Sequence, residues 1–254
     1  MCATLVKTLT MVYIAEPLMP LWFVATGKHE EYPMQSSDNL LNPELINIRR
    51  LFTTPLASIQ YPNADTLNAE LKALVTHRMA QDQCGAQRSN DGGWQSANDF
   101  QAWGGDACGA LVAFATQFAT ELTAVHHEGF GLTVPGFEWK LNAWANVSQA
   151  GHSNALHGHP GAFWSGVYWV DAGGREEDAT VGGDLEFVDP RGMVASTYNP
   201  ALRMRVEDCL TAGFSSTCVA SSGTLIMFPS WLMHSVRRFE GTRPRISIAF
   251  NFGV

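Results

Sequence analysis

FEWKLNAWANV, residues 137–147, alternates with a period of two. Leu141, Ala143, Ala145 and Val147 fall on one face, and Asn142, Trp144 and Asn146 on the other. Successive side chains of a strand point to opposite faces, so this is the signature of a strand with one apolar side. Everything downstream repeats the theme. Strands are predicted at 163–170 (FWSGVYWV), 184–188 (DLEFV), 224–228 (TLIMF) and 244–252 (PRISIAFNF), with Gly and Pro clusters between them. Upstream the period is helical. Leu67, Leu71, Leu74 and Val75 form one stripe of a helix at about 65–77, with Asp65 as a candidate cap. Leu111, Phe114, Phe118, Leu122 and Val125 form another at about 107–126, preceded by Asp106. Helices first and then a run of strands predict a mainly β fold, a sandwich or barrel with helices flanking one side.

Bulk composition agrees with one large globular unit. The chain has 254 residues, 46% hydrophobic and 16% charged. That is enough apolar matter for a sizeable core and too much for a disordered chain. The net charge of −8 and the scattered Lys and Arg argue against nucleic acid as a partner. The five cysteines (Cys2, Cys84, Cys108, Cys209 and Cys218) include no close CxxC pair. Free thiols in a reducing compartment are the plain reading, and with it a cytoplasmic location. Residues 10–26 are apolar, but Glu16, Pro17 and Pro20 interrupt them, and the run is shorter than the ~20 residues of a membrane-spanning helix. Residues 1–48 are therefore expected to be an N-terminal extension packed on the domain, with the main domain at 49–254. Residues 192–222 are long for a loop and are expected to shape a pocket together with that extension.

The chemistry concentrates in three phrases. LHGHP at 156–160 holds His157 and His159 at i and i+2, which share a side in extended backbone. His234 follows an apolar strand in FPSWLMHSV and is the expected third member. Neutral imidazole is a common ligand for first-row transition metals, and three protein ligands leave open coordination positions. The other histidines are less apt: His126 and His127 are expected at a helix end, His29 and His77 lack companions, and His152 lies in a loop. In PRISIAFNF, alternation puts Arg245, Ser247, Ala249 and Asn251 on one face. An arginine inside a core strand is expensive unless paired. Its planar fork suits a carboxylate, with Ser247 as a second donor, so this face is either a socket for an anionic ligand or the site of an internal bridge to Asp184 or Glu186. Asn142, Asn146, Asn251 and Asn154 are candidate pocket amides, and Trp144, Trp164, Tyr168, Trp169 and Trp94 are divided between pocket and core. Asp189 and Arg191 are expected to fix a turn.

In order, the HxH pair, SGVYWV, GGDLEFVDPR, GTLIMFPSWLMHSV and RPRISIAFNF resemble the iron(II)/2-oxoglutarate-dependent oxygenases. The spacing from His234 to Arg245, 11 positions, fits that pattern. The phrases HxHPG, SGVYW, FPSWLxH and RxSxxFN, with RSNDGGWQS upstream, resemble one bacterial and phage group of that superfamily over residues 50–254. The resemblance implies a double-stranded β-helix, a jelly roll of the cupin-like kind. It implies Fe(II) held by His157, His159 and His234, and 2-oxoglutarate as co-substrate bound by Arg245 and Ser247, with Asn251 and Asn142 alongside. It implies a dioxygenase that hydroxylates a C–H bond of an amino acid, peptide or small polar metabolite, using O2 and releasing succinate and CO2. A homodimer is compatible with it; nucleic-acid and membrane partners are not expected. The departure from the superfamily is His159, which stands where a carboxylate is usual; Asp184 or Glu186 is the alternative third ligand. Two rival readings are a three-His iron dioxygenase without 2-oxoglutarate, and a non-catalytic barrel that binds a metal or a small acid.

Overall fold

The computed structural model describes residues 47, 51–192 and 215–254. The expected extension at 1–48 lies almost wholly outside the described residues, as does 193–214 of the expected pocket-shaping loop.

Within the unit Thr53–Val254, strand β1 (Ala57–Gln60) precedes helix α1 (Ala64–Gln81), and the short strands β2 (Asn90–Asp91) and β3 (Trp94–Gln95) lead to helix α2 (Asp106–Glu121). A small hairpin follows, β4 (Val125–His127) with β5 (Gly131–Thr133). Then come β6 (Lys140–Ser148), β7 (Ser153–His157), β8 (Trp164–Asp171), β9 (Leu185–Val188), β10 (Ser215–Cys218), β11 (Thr224–Pro229), β12 (His234–Val236) and β13 (Arg245–Gly253).

Strands β6 to β13 alternate between two antiparallel sheets. The larger has the order β1-β11-β8-β13-β6-β3 and the smaller β10-β9-β12-β7-β2. Apart from the step β9 to β10, each successive strand from β6 to β13 crosses from one sheet to the other. That winding is a double-stranded β-helix, the jelly roll expected above. The alternation of the sequence becomes its two layers. Ala143, Ala145, Val147, Ile246, Ile248, Phe250 and Phe252 face outward from the larger sheet and pack with Leu67, Leu71 and Val75 of α1 and Leu111, Ala115 and Ala119 of α2. Each large side chain so buried contributes on the order of 2 kcal/mol. A second cluster, of Trp169, Leu185, Phe187, Ile226, Phe228 and Leu232, fills the space between the sheets. Strand β13 is paired along its length with β6 on one side and β8 on the other, so the residues it carries are firmly placed.

The structure corrects several boundaries. Helix α2 stops at Glu121 rather than near 126. His126 and His127 instead belong to β4, where Gly129 and Gly131, with φ of 89° and 76°, turn the chain back. Asp65 and Asp106 lie in the first turns, where they favour the helix dipole, but Asn63 and Gly105 occupy the cap positions and neither makes a side-chain cap bond. Residues 215–218 pair with β9, so the expected loop is interrupted by a strand. Asp189 does fix a turn: Oδ1 accepts from the Arg191 backbone N–H at 2.9 Å. No helix among the described residues is long and apolar enough to cross a membrane.

Candidate metal centre

His157 is the last residue of β7 and His234 the first of β12, and the two are directly paired across the smaller sheet. His159 lies two residues past the strand end, fixed by its backbone N–H donating to Ser230 O at 3.0 Å. The ring centroids of His157 are 4.9 Å from those of His159 and 4.4 Å from those of His234, and His159 and His234 are 5.1 Å apart. One ligand nitrogen from each lies within 4.8 Å of the others.

The hydrogen bonds prepare two of these rings for a metal. His157 Nδ1 lies 2.7 Å from Ala155 O and His234 Nδ1 lies 2.9 Å from Leu232 O. A carbonyl only accepts, so each Nδ1 carries the proton and each Nε2 keeps its lone pair. Burial lowers the pKa of all three histidines, His159 to about 4 and His234 to about 3. The backbone acceptors at His157 and His234 only partly offset that burial. All three are thus neutral ligands near neutral pH. The rings of Phe228 and Phe187 pack on His234 at 4.9 and 5.9 Å and keep its surroundings dry.

The cavity that holds the histidines is lined on the opposite sheet by Arg245, Ser247, Asn146, Trp144, Ser165 and Ala249. Arg245 is 2% exposed. Its Nη1 reaches Ser247 Oγ at 3.5 Å, while its Nε is buried with no partner. Burial pulls its pKa down to about 10, with the distant charge of Asp184 opposing. The internal bridge to Asp184 or Glu186 does not form. Asp184 is gripped by Arg175 at 2.9 Å and accepts from the Ala220 N–H, and Glu186 is taken by Arg237 at 2.8 Å and Ser215 at 2.6 Å. Neither carboxylate belongs to the group of three histidines that could hold a metal. Gly183 shows how the arginine is accommodated. Its φ is 78°, and a Cβ there would come within 3.0 Å of Arg245 Cδ.

The other expected site residues divide. Asn251 has the pocket-facing parity but is not a lining residue; its Oδ1 accepts from Ser165 Oγ at 2.7 Å. Asn142 is paired with Asn251 and exposed, so its expected place beside the co-substrate is corrected to a position near the strand's start. The lining amides are Asn146, opposite Ser247, and Asn154. Trp144 lines the cavity, while Trp94, Trp164 and Tyr168 join the helix-facing core, and Trp169 is buried between the sheets. Ser89 escaped the sequence reading, although it stands in the quoted RSNDGGWQS phrase. It lines the cavity with its hydroxyl 3.4 Å from His157 Nε2. His77 and His152 are engaged locally, with Gln81 and with the Gln149 N–H, and His29 is outside the described residues.

Residues 142–251 match the family model described as "Putative 2OG-Fe(II) oxygenase". This segment is a 2OG-Fe(II) oxygenase domain. The oxygenase chain is an enzyme, and its cofactors are iron(II) and 2-oxoglutarate. No curated protein matches it. Among solved structures it is similar to a prolyl-4-hydroxylase of Pseudomonas putida, at 18% identity and a TM-score of 0.53, over 79% of this chain and 93% of that one. It is similar to a prolyl hydroxylase of Trichoplax adhaerens, solved with a hypoxia inducible factor peptide, at 10% identity and a TM-score of 0.51, over 78% and 83%. HygX of Streptomyces hygroscopicus, solved with nickel and 2-oxoglutarate, is similar at 16% identity and a TM-score of 0.50, over 79% and 83%. At these identities the likeness is one of fold, the same double-stranded β-helix. The oxygenase's own residues fit its cofactors: a cluster of neutral imidazoles offers a metal-binding donor set, and Arg245, with an orphaned buried guanidinium N–H, lines the same cavity.

Proposed function

We propose that the oxygenase hydroxylates a C–H bond of an amino acid, peptide or small polar metabolite, with release of succinate and CO2. His157, His159 and His234 hold the iron(II). Arg245 holds the distal carboxylate of 2-oxoglutarate, with Ser247 and Asn146 beside it. When bound, the iron and the 2-oxo acid together supply the activation of dioxygen that oxidises the C–H bond. The chain's residues bind and orient. The guanidinium supplies charge-assisted hydrogen bonds to a carboxylate, roughly twice as strong as neutral ones. Phe187 and Phe228 exclude water from the side of His234. Three imidazoles contribute no negative charge, so the metal centre is one charge more positive than one built from two His and a carboxylate.

The observation that carries this reading is the buried Arg245, partnerless at Nε and lining the same cavity as the three histidines. A dioxygenase that takes no acid co-substrate has little use for such a group. The test is succinate formation from 2-oxoglutarate with iron(II) and O2, in the native protein, Arg245→Ala and His234→Ala. Native activity lost in both variants supports the reading. Oxygen uptake without succinate would instead support a three-His dioxygenase, and tight metal binding with no oxygen uptake a binding barrel.

The free thiols at Cys84, Cys108 and Cys218 support a reducing, cytoplasmic setting. The partners in this reading are a small-molecule or peptide substrate and O2. Neither nucleic acid nor a membrane belongs to it, and a homodimer is compatible with it.

A further inference from the structure

Asn154 and His157 are an odd number of residues apart, so a regular strand would turn them to opposite faces. Both nevertheless line the cavity. The cause is a shift in the register of β7 against β12. His157 stands opposite His234, but Asn154 stands opposite Val236, so three steps on β7 answer two on β12. Such a bulge re-aims a side chain, and bulges gather beside active sites. Here it brings an amide onto the wall that holds a metal ligand. On its other edge Asn154 is paired with Asn90 of β2, and the Ser89 carbonyl accepts from the Ala155 N–H at 2.8 Å. That bond fixes Ser89, which lines the same cavity.

The two side chains form a directed pair. Asn154 Nδ2 donates to Ser89 Oγ at 3.2 Å, and Ser89 Oγ lies 3.4 Å from His157 Nε2. With His157 Nδ1 donating to Ala155 O, Nε2 is an acceptor, and its lone pair is the partner of the serine proton. A metal takes that lone pair. The loaded site then holds a serine O–H that has lost its acceptor, next to a metal ligand. Asn154 Nδ2 spends one of its two N–H groups on Ser89 and keeps the other. Both side chains are half-buried, so both donors are within reach of a molecule in the cavity.

Charge selects what these donors meet. Among the described residues Arg245 is the only charged side chain that lines the cavity. Three imidazoles add no negative charge, so iron(II), Arg245 and the 2-oxoglutarate dianion leave one positive charge unanswered. A charge taken out of water is costly until it is paired.

We propose that the primary substrate carries a carboxylate, and that Ser89 and Asn154 receive it beside His157 once the metal has displaced the serine from Nε2. This contact selects the substrate and sets which of its carbons lies nearest the metal. The proposal rests on the oxygenase reading above and narrows its substrate class to acids. Ser89 and Asn154 are specificity residues; they bind and position, and they transfer no proton or electron.

The test uses the full chain loaded with Mn(II) as a paramagnetic reporter and saturated with 2-oxoglutarate. Acetate and its neutral counterpart N-methylacetamide are added in separate arms, and the relaxation of their methyl carbons is followed. Paramagnetic enhancement falls off so steeply with distance that only a molecule held beside the metal is strongly relaxed. The expected result is saturable enhancement of acetate in the native protein, at lower concentration than the amide requires. In Ser89→Ala the acetate concentration for half-effect rises about tenfold, the loss of one hydrogen bond to a charged group. Ser89→Thr, which keeps the hydroxyl, restores part of it. Acetate that is not relaxed, or is relaxed equally in the native protein and Ser89→Ala because it sits on the metal alone, overturns the proposal. So does an amide held as tightly as acetate. Relaxation of 2-oxoglutarate itself by Mn(II) is read in the same samples and should be unchanged in Ser89→Ala. Its loss there would mean that the serine holds the metal centre and not the substrate, which also overturns the proposal. If the native protein shows no relaxation of 2-oxoglutarate while the Ser89 effect on acetate persists, the co-substrate reading fails and the carboxylate subsite stands.

Discussion

Replacing Arg245 by Met separates the stability of the fold from its function. The guanidinium is almost wholly buried, its Nε has no partner and its one side-chain contact is a long 3.5 Å approach to Ser247. Without its ligand the protein therefore bears the desolvation of a charge with little return. Exchanging a buried charged group for a well-packed apolar one commonly stabilises by ~1–4 kcal/mol. Met has similar length and adapts to irregular space. A gain of about 2 kcal/mol corresponds to roughly 4–8 °C in a domain of this size. With 2-oxoglutarate the order reverses. At 100 times its dissociation constant a ligand stabilises by about 2.7 kcal/mol, a rise of roughly 5–10 °C that Arg245→Met should lack. Removing one partner of a buried charge pair costs ~2–5 kcal/mol, which is at least about 30-fold in affinity. The assay is thermal unfolding of both proteins with Mn(II), with and without 2-oxoglutarate. A variant less stable than the native protein without ligand, or one that keeps the ligand-induced rise, would refute the reasoning.

Other perturbations test the remaining parts of the site. His234→Ala should lose metal, measured by elemental analysis after dialysis, by more than the ~10–100-fold that loss of an outer partner costs. His159→Asp should keep metal but need more 2-oxoglutarate, because the new carboxylate repels a dianion; metal loss as complete as in His234→Ala would count against that. Asn146→Ala should raise the 2-oxoglutarate dissociation constant about fivefold, near the ~1 kcal/mol of one hydrogen bond, while Asn142→Ala, at an exposed position, leaves it unchanged. Glu186 is held below the usual carboxylate range by hydrogen bonds from Arg237 and Ser215. Its contribution to stability is present above the ordinary glutamate value of 4.5 and is lost as pH falls through the lower folded value. Urea midpoints of Glu186→Gln should thus fall less steeply with acid than those of the native protein.

How far the sequence could be read depended on period and length. Strands β6, β8, β11 and β13 were legible because each carries a long apolar run or alternation buried against the helices or the opposite sheet. The short strands β7, β10 and β12 were not. SSTC at 215–218 has little hydrophobic signal, and it is a strand because β9 offers an antiparallel edge. Residues 122–127 continued the apolar pattern of α2, yet the glycines after them favoured a hairpin. The same contrast holds in the site. Arg245 stood out because a charge in an apolar strand demands a reason, and the histidines because of their spacing. Parity placed Asn142, Asn146 and Asn251 on one face, but it is blind to depth along the strand, so it could not tell the lining amide from the exposed one. Ser89 offers no periodic signal; only the pairing of β2 with β7 brings it to His157.

The division of the site between two sheets leads to a last prediction, on the length of the acid. The histidines come from β7, its C-terminal extension and β12 of the smaller sheet, while Arg245 and Ser247 come from β13 of the larger one. Facing sheets pack about 10 Å apart, a spacing set by the side chains between them. An extended five-carbon dicarboxylate spans about 5 Å from end carbon to end carbon, given C–C bonds of about 1.5 Å. The His and Arg side chains take up part of that spacing, and a metal–oxygen bond of about 2.1 Å at one end and a charge-assisted hydrogen bond of about 2.8 Å at the other join the acid to them. A four-carbon 2-oxo diacid falls short by more than an ångström and leaves Arg245 partly unpaired, whereas a six-carbon one must buckle against Phe228 and Leu185. The interior cannot relax by that much at little cost, because β13 is hydrogen-bonded on both edges and its outer face is locked against the helices. Competition of oxaloacetate and 2-oxoadipate against 2-oxoglutarate, read by the same thermal shift, should show each at least about tenfold weaker. Equal affinity for all three would mean that the acid does not bridge the two sheets.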